Sequence, residues 1–505
     1  MEHDLNRTLS KSKLMAYRQC ERRLWLEVHR PDLRQDSTGS QARFDAGHQV
    51  GDLARTLYDE EAHGVLIDPR AEGYAAALAR TTASLQSRIP VFEAGFSANG
   101  GMAFADVMVP AGTADEPSWR MVEVKSSTNV KDYHRDDVAV QAYVARSAGV
   151  NLTSIAVACV DSRWVYPGEG RYAGMLKEVD LSAEAFARTD EVVGWIAQAQ
   201  ATVNLPKEPS RSPSDHCNSP FACGFIDHCA TGTEPADFPV AWIPRATSKA
   251  LKNCLADPAV RDLRDVPDEL LNPLQLRVKT QSLLGEAWFD REGAAESLSK
   301  HQAPLYFLDF ETIQFVVPVW AGTSPYQQLS FQFSRHCLRE DGTLDHAEFL
   351  DLSGRDPSEA FAKAVSVSCD TSGPVFVYNA GFERARLNEL AARFPEHRPK
   401  LKKLAARLVD LHPVAKKYYY DPSQQGSWSI KKVLPAVVPE LRYSALDGVQ
   451  DGGAAMEAFM EATSVDTSVA RKEELRTQLL AYCRLDTYAM VRLWQVFANR
   501  PELVL

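Results

Sequence analysis

Within LYFLDFET, Asp309 and Glu311 stand two apart inside an otherwise apolar run, and this spacing narrows what the second half of the chain can become. Residues i and i+2 of a strand share a face, so both carboxylates point the same way while their neighbours are buried. Two carboxylates side by side on such a strand are costly unless a metal ion or hydrogen bonds compensate them. An edge strand with outward acids is the alternative, weakened by the apolar residues before and between them. Further acids follow in order. VFVYNAGFERARL carries Asn379, Phe382 and Glu383, and RLVDLHP carries Asp410. AYCRLD puts Tyr482 and Asp486 four apart, on one face of a helix.

The first half carries a second set. FADVMVP and VEVKSS read as neighbouring strands, so Glu123 and Lys125 share a face toward Asp106, giving two carboxylates with an ammonium beside them. An isolated E-x-K is more often a solvent-facing strand, and a lone histidine such as His48 is more often a core or surface residue. The company shifts the balance: DDVAVQAYVARSAG puts Gln141 on the following helix, and His48 lies upstream in FDAGHQVG. Hydrolysis of a phosphodiester asks for a metal site, an activated water and charge stabilisation, which such groups supply.

At 505 residues the chain exceeds what one hydrophobic core usually serves. Pro-rich connectors at PKEPSRSPSDHC and EPADFPVAWIPRA set the expected boundaries: 1–235 as an α/β domain, 236–300 as a mostly helical connector and 301–505 as a second α/β domain. With 56 basic and 67 acidic residues the formal charge is −11, which argues against coating duplex nucleic acid by charge alone but not against a metal-dependent nuclease. The absence of a long apolar run and of a signal peptide in the first thirteen residues predicts no membrane partner and a cytoplasmic location. Nine cysteines make a disulfide framework a poor expectation. Cys217, Cys223 and Cys229 group, as metal or cluster ligands would, while Cys159, Cys254, Cys337, Cys369 and Cys483 read as small buried hydrophobes.

The order His48, Asp106, Glu123-x-Lys125, then Gln141-x-Tyr143 resembles the PD-(D/E)xK nucleases of the RecB type, especially the CRISPR adaptation nucleases and AddB, which add an iron–sulfur cluster. That resemblance implies a restriction-endonuclease-like domain. In it His48, Asp106 and Glu123 bind Mg²⁺ or Mn²⁺, Lys125 positions or deprotonates water, and Gln141 orients the lysine or the substrate. It also implies a [4Fe–4S] cluster on Cys20, Cys217, Cys223 and Cys229, the same four thiolates being able to hold zinc instead. The C-x5-C-x5-C spacing is wider than the family's usual one.

The order D-x-E, N-x-x-F-E and Y-x-x-x-D resembles the DnaQ-like exonucleases of the RNase H fold, in the subclass with tyrosine before the last aspartate. GSWSIKKVLP and YCRLDTYAM are also similar to a bacterial domain of unknown function found behind RecB-type nucleases. By that resemblance Asp309, Glu311, a middle acid and Asp486 hold two metal ions, Tyr482 orients the attacking water, and nucleotides leave from a 3′ end. The family has Asp after the Phe, so Glu383 is the expected middle acid, with Asp410 as the alternative. The basic stretch from Arg384 to Lys417 and the tyrosines of KKYYYDP offer a strip for nucleic acid, with Asn379, Lys416 and Lys417 as contacts; a solvated helix face followed by core tyrosines explains it equally well. The expected function is a two-headed nuclease acting on DNA ends or single strands. The competing readings are that one head only binds nucleic acid or partners, or that the chain is an iron–sulfur redox sensor.

Overall fold

The computed structural model describes residues 8–36, 38–231, 236–257, 259–369 and 372–501. Both halves are mixed α/β. They form two compact units, Met1–Glu234 with Phe315–Gln327, and Pro235–Gln314 with Gln328–Leu505. Among the described residues no helix is long and apolar enough to cross a membrane.

The first unit is built on strands β1 (Leu9–Ser10), β2 (Val65–Leu66), β3 (Val91–Ala98), β4 (Gly101–Gly112), β5 (Pro117–Lys125), β6 (Leu152–Val160) and β7 (Leu176–Asp180), which run in the order β2-β3-β4-β5-β6-β7 with β1 on β4. The β3–β4 hairpin closes on Asn99 and Gly100, at φ 50° and 80°, the pair of left-handed residues that a tight two-residue turn requires. Strands β5 and β6 are parallel. Their crossover is helix α5 (Asp132–Ser147), and Ala98, the last residue of β3, pairs with Gly101 of β4. Between β1 and β3 come α1 (Lys11–Gln19), α2 (Glu21–His29), α3 (Thr38–Tyr58) and α4 (Tyr74–Gln86); α6 (Thr189–Val203) follows the last strand. Helix α5 is buried on most sides, packed on the sheet and on α1 and α6. Val138, Ala142 and Ala145 thus join the apolar core, and Asp137 and Gln141 are drawn inside with them.

In the second unit the residues from 236 to 304 form short helices, including Pro273–Leu284 and Arg291–Ser299, and one short strand, β8 (Trp288–Phe289). The main sheet has strands β9 (Leu305–Ile313), β10 (Leu329–Leu338), β11 (Leu344–Leu350), β12 (Val375–Val377) and β13 (Leu408–Asp410) in the order β11-β10-β9-β12-β13. The first three pair antiparallel, and β12 and β13 run parallel to β9. The acid-bearing strand is therefore the central one, not an edge. Tyr306, Leu308 and Phe310 join the core with Phe361 and Val365 of α7 (Ser358–Ser368) and Leu387 of α8 (Ala380–Arg393). The alternate residues Phe307, Asp309 and Glu311 face the other way, where Phe307 meets Trp494 edge-on. That face is covered by the last and longest helix; α9 (Ile430–Val437), α10 (Gly452–Thr463) and α11 (Val469–Phe497) complete the fold.

Candidate active sites

The first unit brings four of the expected residues to one point. Asp106 comes from β4, Glu123 and Lys125 from β5, and Gln141 from α5. Glu123 is almost wholly buried, at 1% exposure. Its Oε1 accepts from Lys125 Nζ at 2.6 Å and its Oε2 from Gln141 Nε2 at 2.5 Å. Gln141 thus holds the Glu123 carboxylate, where the resemblance implies a role toward the lysine or the substrate; it also donates to the Phe104 carbonyl at 3.0 Å. One Asp106 oxygen accepts from the Val124 N–H at 2.6 Å. His48 is exposed on α3, where its charge bears on Glu93.

Three further groups belong to this point. Asp137 accepts from Lys125 at 2.6 Å, and Lys11 donates to Glu123 Oε1 at 2.8 Å while lying 3.4 Å from Asp137. Glu93 sits on β3 between the pairs Phe92–Val107 and Ala94–Ala105, opposite Asp106, with φ at +54°. A left-handed glutamate is a strained conformation for a strand residue, worth about 1–3 kcal/mol. None of the three could be found from spacing in the sequence. Asp137 has one weak signal, lying four residues before Gln141 on the same helix face.

The electrostatics follow from crowding. Burial first, then Glu123, hold the Asp106 carboxyl well above its ordinary range. Burial pushes Glu123 up as well, but Lys11 and Lys125 outweigh it and hold this carboxylate well below its ordinary value. For Lys125, burial opposes the charge and Asp137 and Glu123 restore it, leaving the ammonium firmly protonated. Lys125 therefore acts here as a fixed cation.

The four grouped cysteines also converge. Cys20, between α1 and α2, and Cys217, Cys223 and Cys229 line one small recess, with Arg22 and Arg23 beside them. Side chains tie its two walls together independently of any ligand. Gln19 Nε2 donates to the carbonyls of His216 and Phe221 at 2.8 and 2.7 Å, and Arg22 reaches the Arg211 carbonyl at 2.9 Å. Burial pushes the Cys229 thiol up to about 11, with Arg22 acting against it, and Cys223 is likewise raised. Such thiols become thiolates on meeting a positive centre, with the arginines helping to carry the resulting charge.

In the second unit Asp309 and Glu311 of β9 face Asp486 of α11 and Glu383 of α8, each acid raising the pKa of Asp309 by its charge. Burial is the leading cause throughout. It pushes Glu311 and Glu383 up to about 8 and Asp486 up to about 6. Glu383 is 3% exposed, and its Oε2 is buried without a hydrogen-bond partner among the described residues. Asp410, the alternative middle acid, is fully engaged: it accepts from the backbone N–H groups of Asn379, Ala380 and His412, each at 3.0 Å. It caps α8 and the helix that follows β13.

Tyr482 hydrogen-bonds Asp486, and Tyr443 donates to Asp486 Oδ1 at 2.5 Å. Lys431 lies over both rings, 5.4 Å from the centre of Tyr443 and 5.3 Å from that of Tyr482, and its charge lowers the pKa of Glu311 and Asp486. Tyr443 carries no sequence signal. Lys431 stands in GSWSIKKVLP, a stretch whose charge has no visible partner until α9 folds against α11. Cys483 is fully buried, as expected of a small hydrophobe, yet its sulfur lies within 4.8 Å of ligand atoms of Asp309 and Glu311.

Asn379 is exposed at the turn into α8, with φ at +98°. Lys416 lies 5.9 Å from the Trp428 ring centre, and Lys417 lies 4.7 Å from that of Tyr418. Tyr419 and Tyr420 are buried: they form strand β14 (Tyr419–Tyr420), which pairs with β8, and their hydroxyls meet the Ala436 carbonyl and Ser282. These two tyrosines are core residues and do not stack bases.

A model of the family described as Domain of unknown function (DUF2779) matches residues 306–429. The matched stretch carries Asp309, Glu311 and Glu383 and stops before Lys431, Tyr443, Tyr482 and Asp486. No curated protein matches the chain.

The raised carboxyls have a consequence for stability. A carboxyl whose folded pKa exceeds its unfolded one keeps its proton longer in the folded protein, so stability falls as pH rises from the ordinary value through the folded one. For Glu383 that window runs from 4.5 to about 8. In buffer free of divalent ions, Glu383→Gln is expected to raise the urea midpoint of the second unit at pH 8 and to leave it nearly unchanged at pH 4. A variant less stable than the parent at pH 8 would contradict this.

Proposed function

We propose that the chain is a metal-dependent nuclease with two heads: a PD-(D/E)xK restriction-endonuclease-like front head carrying a [4Fe–4S] cluster, and an RNase H-like rear head acting as a 3′–5′ exonuclease. The observation that carries the reading is the convergence of Asp309, Glu311, Glu383 and Asp486 from three separate elements, with Glu383 Oε2 buried and without a hydrogen-bond partner among the described residues. Three buried acids and a half-buried fourth, compensated by the protein through Lys431, Tyr443 and Tyr482 among the described residues, are a standing cost that divalent cations remove. Supporting it are the central position of β9 and the mixed strand order of its sheet.

In the rear head Asp309, Glu311, Glu383 and Asp486 would hold Mg²⁺ or Mn²⁺, and Tyr482, oriented by Asp486, would direct water at the terminal phosphodiester. In the front head Asp106, Glu123 and His48 would hold the ion, Gln141 fixes Glu123, and Lys125 presents a positive charge to the phosphate. Bound divalent ions supply Lewis acidity and an activated water. The substrate is DNA, as ends or single strands. Cys20, Cys217, Cys223 and Cys229 would hold the cluster, a role that four thiolates can equally play for one zinc ion.

A second reading, in which only the rear head cuts, is favoured by one observation: Glu123 accepts from two lysines and from Gln141, all of which compete with an ion. Digestion of single-stranded DNA labelled at either end separates the two readings. Asp309→Ala is expected to abolish stepwise release from the 3′ end and leave the front head's cleavage; Asp106→Ala is expected to do the reverse. If Asp106→Ala changes no product, the front head is silent.

A further inference from the structure

Lys11 opens helix α1, and its ammonium joins that of Lys125 in the front site. Its Nζ is 2.8 Å from Glu123 Oε1 and 3.4 Å from Asp137 Oδ1, and Lys125 Nζ stands 2.6 Å from Glu123 Oε1 and 2.6 Å from Asp137 Oδ2. The two ammoniums are alike in exposure, at 21% and 22%, while the acids between them are buried. Two cations thus bridge the same two carboxylates, and a single oxygen, Glu123 Oε1, takes a hydrogen bond from each. The far end of α1 is held by the Gln19 bonds to the His216 and Phe221 carbonyls, so Lys11 projects from an element anchored at its other end.

We propose that Lys11 is a positioning residue of the front site: it fixes Glu123 and Asp137, and through them Lys125, and it competes with the divalent ion for the Glu123 carboxylate. This rests on the reading of the front head as a metal-dependent nuclease. Glu123 and Asp137, with Asp106 and Glu93 beside them, face the two ammoniums of Lys11 and Lys125. Removing Lys11 deepens the local negative potential and frees one lone pair of Glu123, so an ion binds more tightly. The same change leaves Lys125 as the one ammonium bridging Glu123 and Asp137, so their geometry loosens and turnover falls. A lysine that merely braced the fold would act otherwise: its loss would loosen the ligands and weaken the ion.

The test uses the full chain with Asp309→Ala, which silences the rear head, and compares Mn²⁺ binding by titration calorimetry with cleavage of single-stranded DNA. Lys11→Met is expected to bind the ion at the front site roughly threefold to tenfold more tightly. Its kcat is expected to fall about thirtyfold or more with KM within about threefold, the mark of a contact made for the reacting geometry. Lys11→Arg, which keeps the charge, is expected to return the affinity to the parent value and recover most of kcat. Weaker Mn²⁺ binding by Lys11→Met, or a kcat within about twofold of the parent, would overturn the inference. A parent whose Mn²⁺ binding and cleavage are both indifferent to Asp106→Ala would sink the front-head reading, and this inference with it.

Discussion

Asp309→Ala is expected to lower the rate of 3′-end degradation by about a thousandfold or more, the loss of several kcal/mol of metal-derived transition-state stabilisation. Asp309 stands on the central strand with Glu311 beside it and Glu383 and Asp486 opposite, so no neighbouring carboxylate can take its direction of approach. The variant should fold, because the substitution removes a carboxyl from a cluster in which each other acid pushes the pKa of Asp309 upward. In buffer without divalent ions its melting temperature should equal or exceed that of the parent. Addition of Mn²⁺ should then raise it by less than it raises the parent's, since the gain follows the ion's affinity for the folded state. A variant that melts lower without ions and loses activity in proportion would point to a structural role instead.

Cys217→Ser is expected to remove the proposed cluster and destabilise the first unit by about 2–5 kcal/mol, in the range for losing a link that closes a long loop. Cys20 lies nearly two hundred residues ahead of the other three thiols, so a shared cluster closes almost the entire first unit. Cys217 is buried in a small apolar group with Leu26, Cys223 and Phe225, so serine there also leaves a hydroxyl in apolar surroundings. Anaerobically purified parent should be brown, with near-stoichiometric iron and sulfide; the variant should be colourless, with a lower melting temperature for the first transition and unchanged rear-head activity. A colourless parent containing stoichiometric zinc would establish the zinc alternative and retire the cluster.

The strand alternation that separates Phe307, Asp309 and Glu311 from Tyr306, Leu308 and Phe310 is legible in LYFLDFET, because a period of two is imposed by the backbone itself. The turn at Asn99 and Gly100 and the helix carrying Gln141 are legible for similar local reasons. What escapes is decided by tertiary approach. Lys11 gains its meaning from Glu123, more than a hundred residues away, and Tyr443 gains its own only when it meets Asp486. KKYYYDP misleads for the same reason: a run of tyrosines is equally compatible with a stacking strip and with a buried strand, and the pairing of Tyr419 with Phe289 selects the second. Asp410 and Glu383 look interchangeable as middle acids until backbone N–H groups claim all of Asp410 and leave one oxygen of Glu383 bare.

The central claim is that two separate acid clusters in this chain hydrolyse nucleic acid with divalent metals. Its most direct test is to incubate the purified full chain and the double variant Asp106→Ala/Asp309→Ala with labelled single- and double-stranded DNA and RNA, with Mn²⁺ or Mg²⁺ and with EDTA. The parent should degrade DNA with either ion and be inert in EDTA, and the double variant should be inert throughout. A parent that cuts none of the four substrates with either ion, or a double variant that cuts as the parent does, would contradict the account.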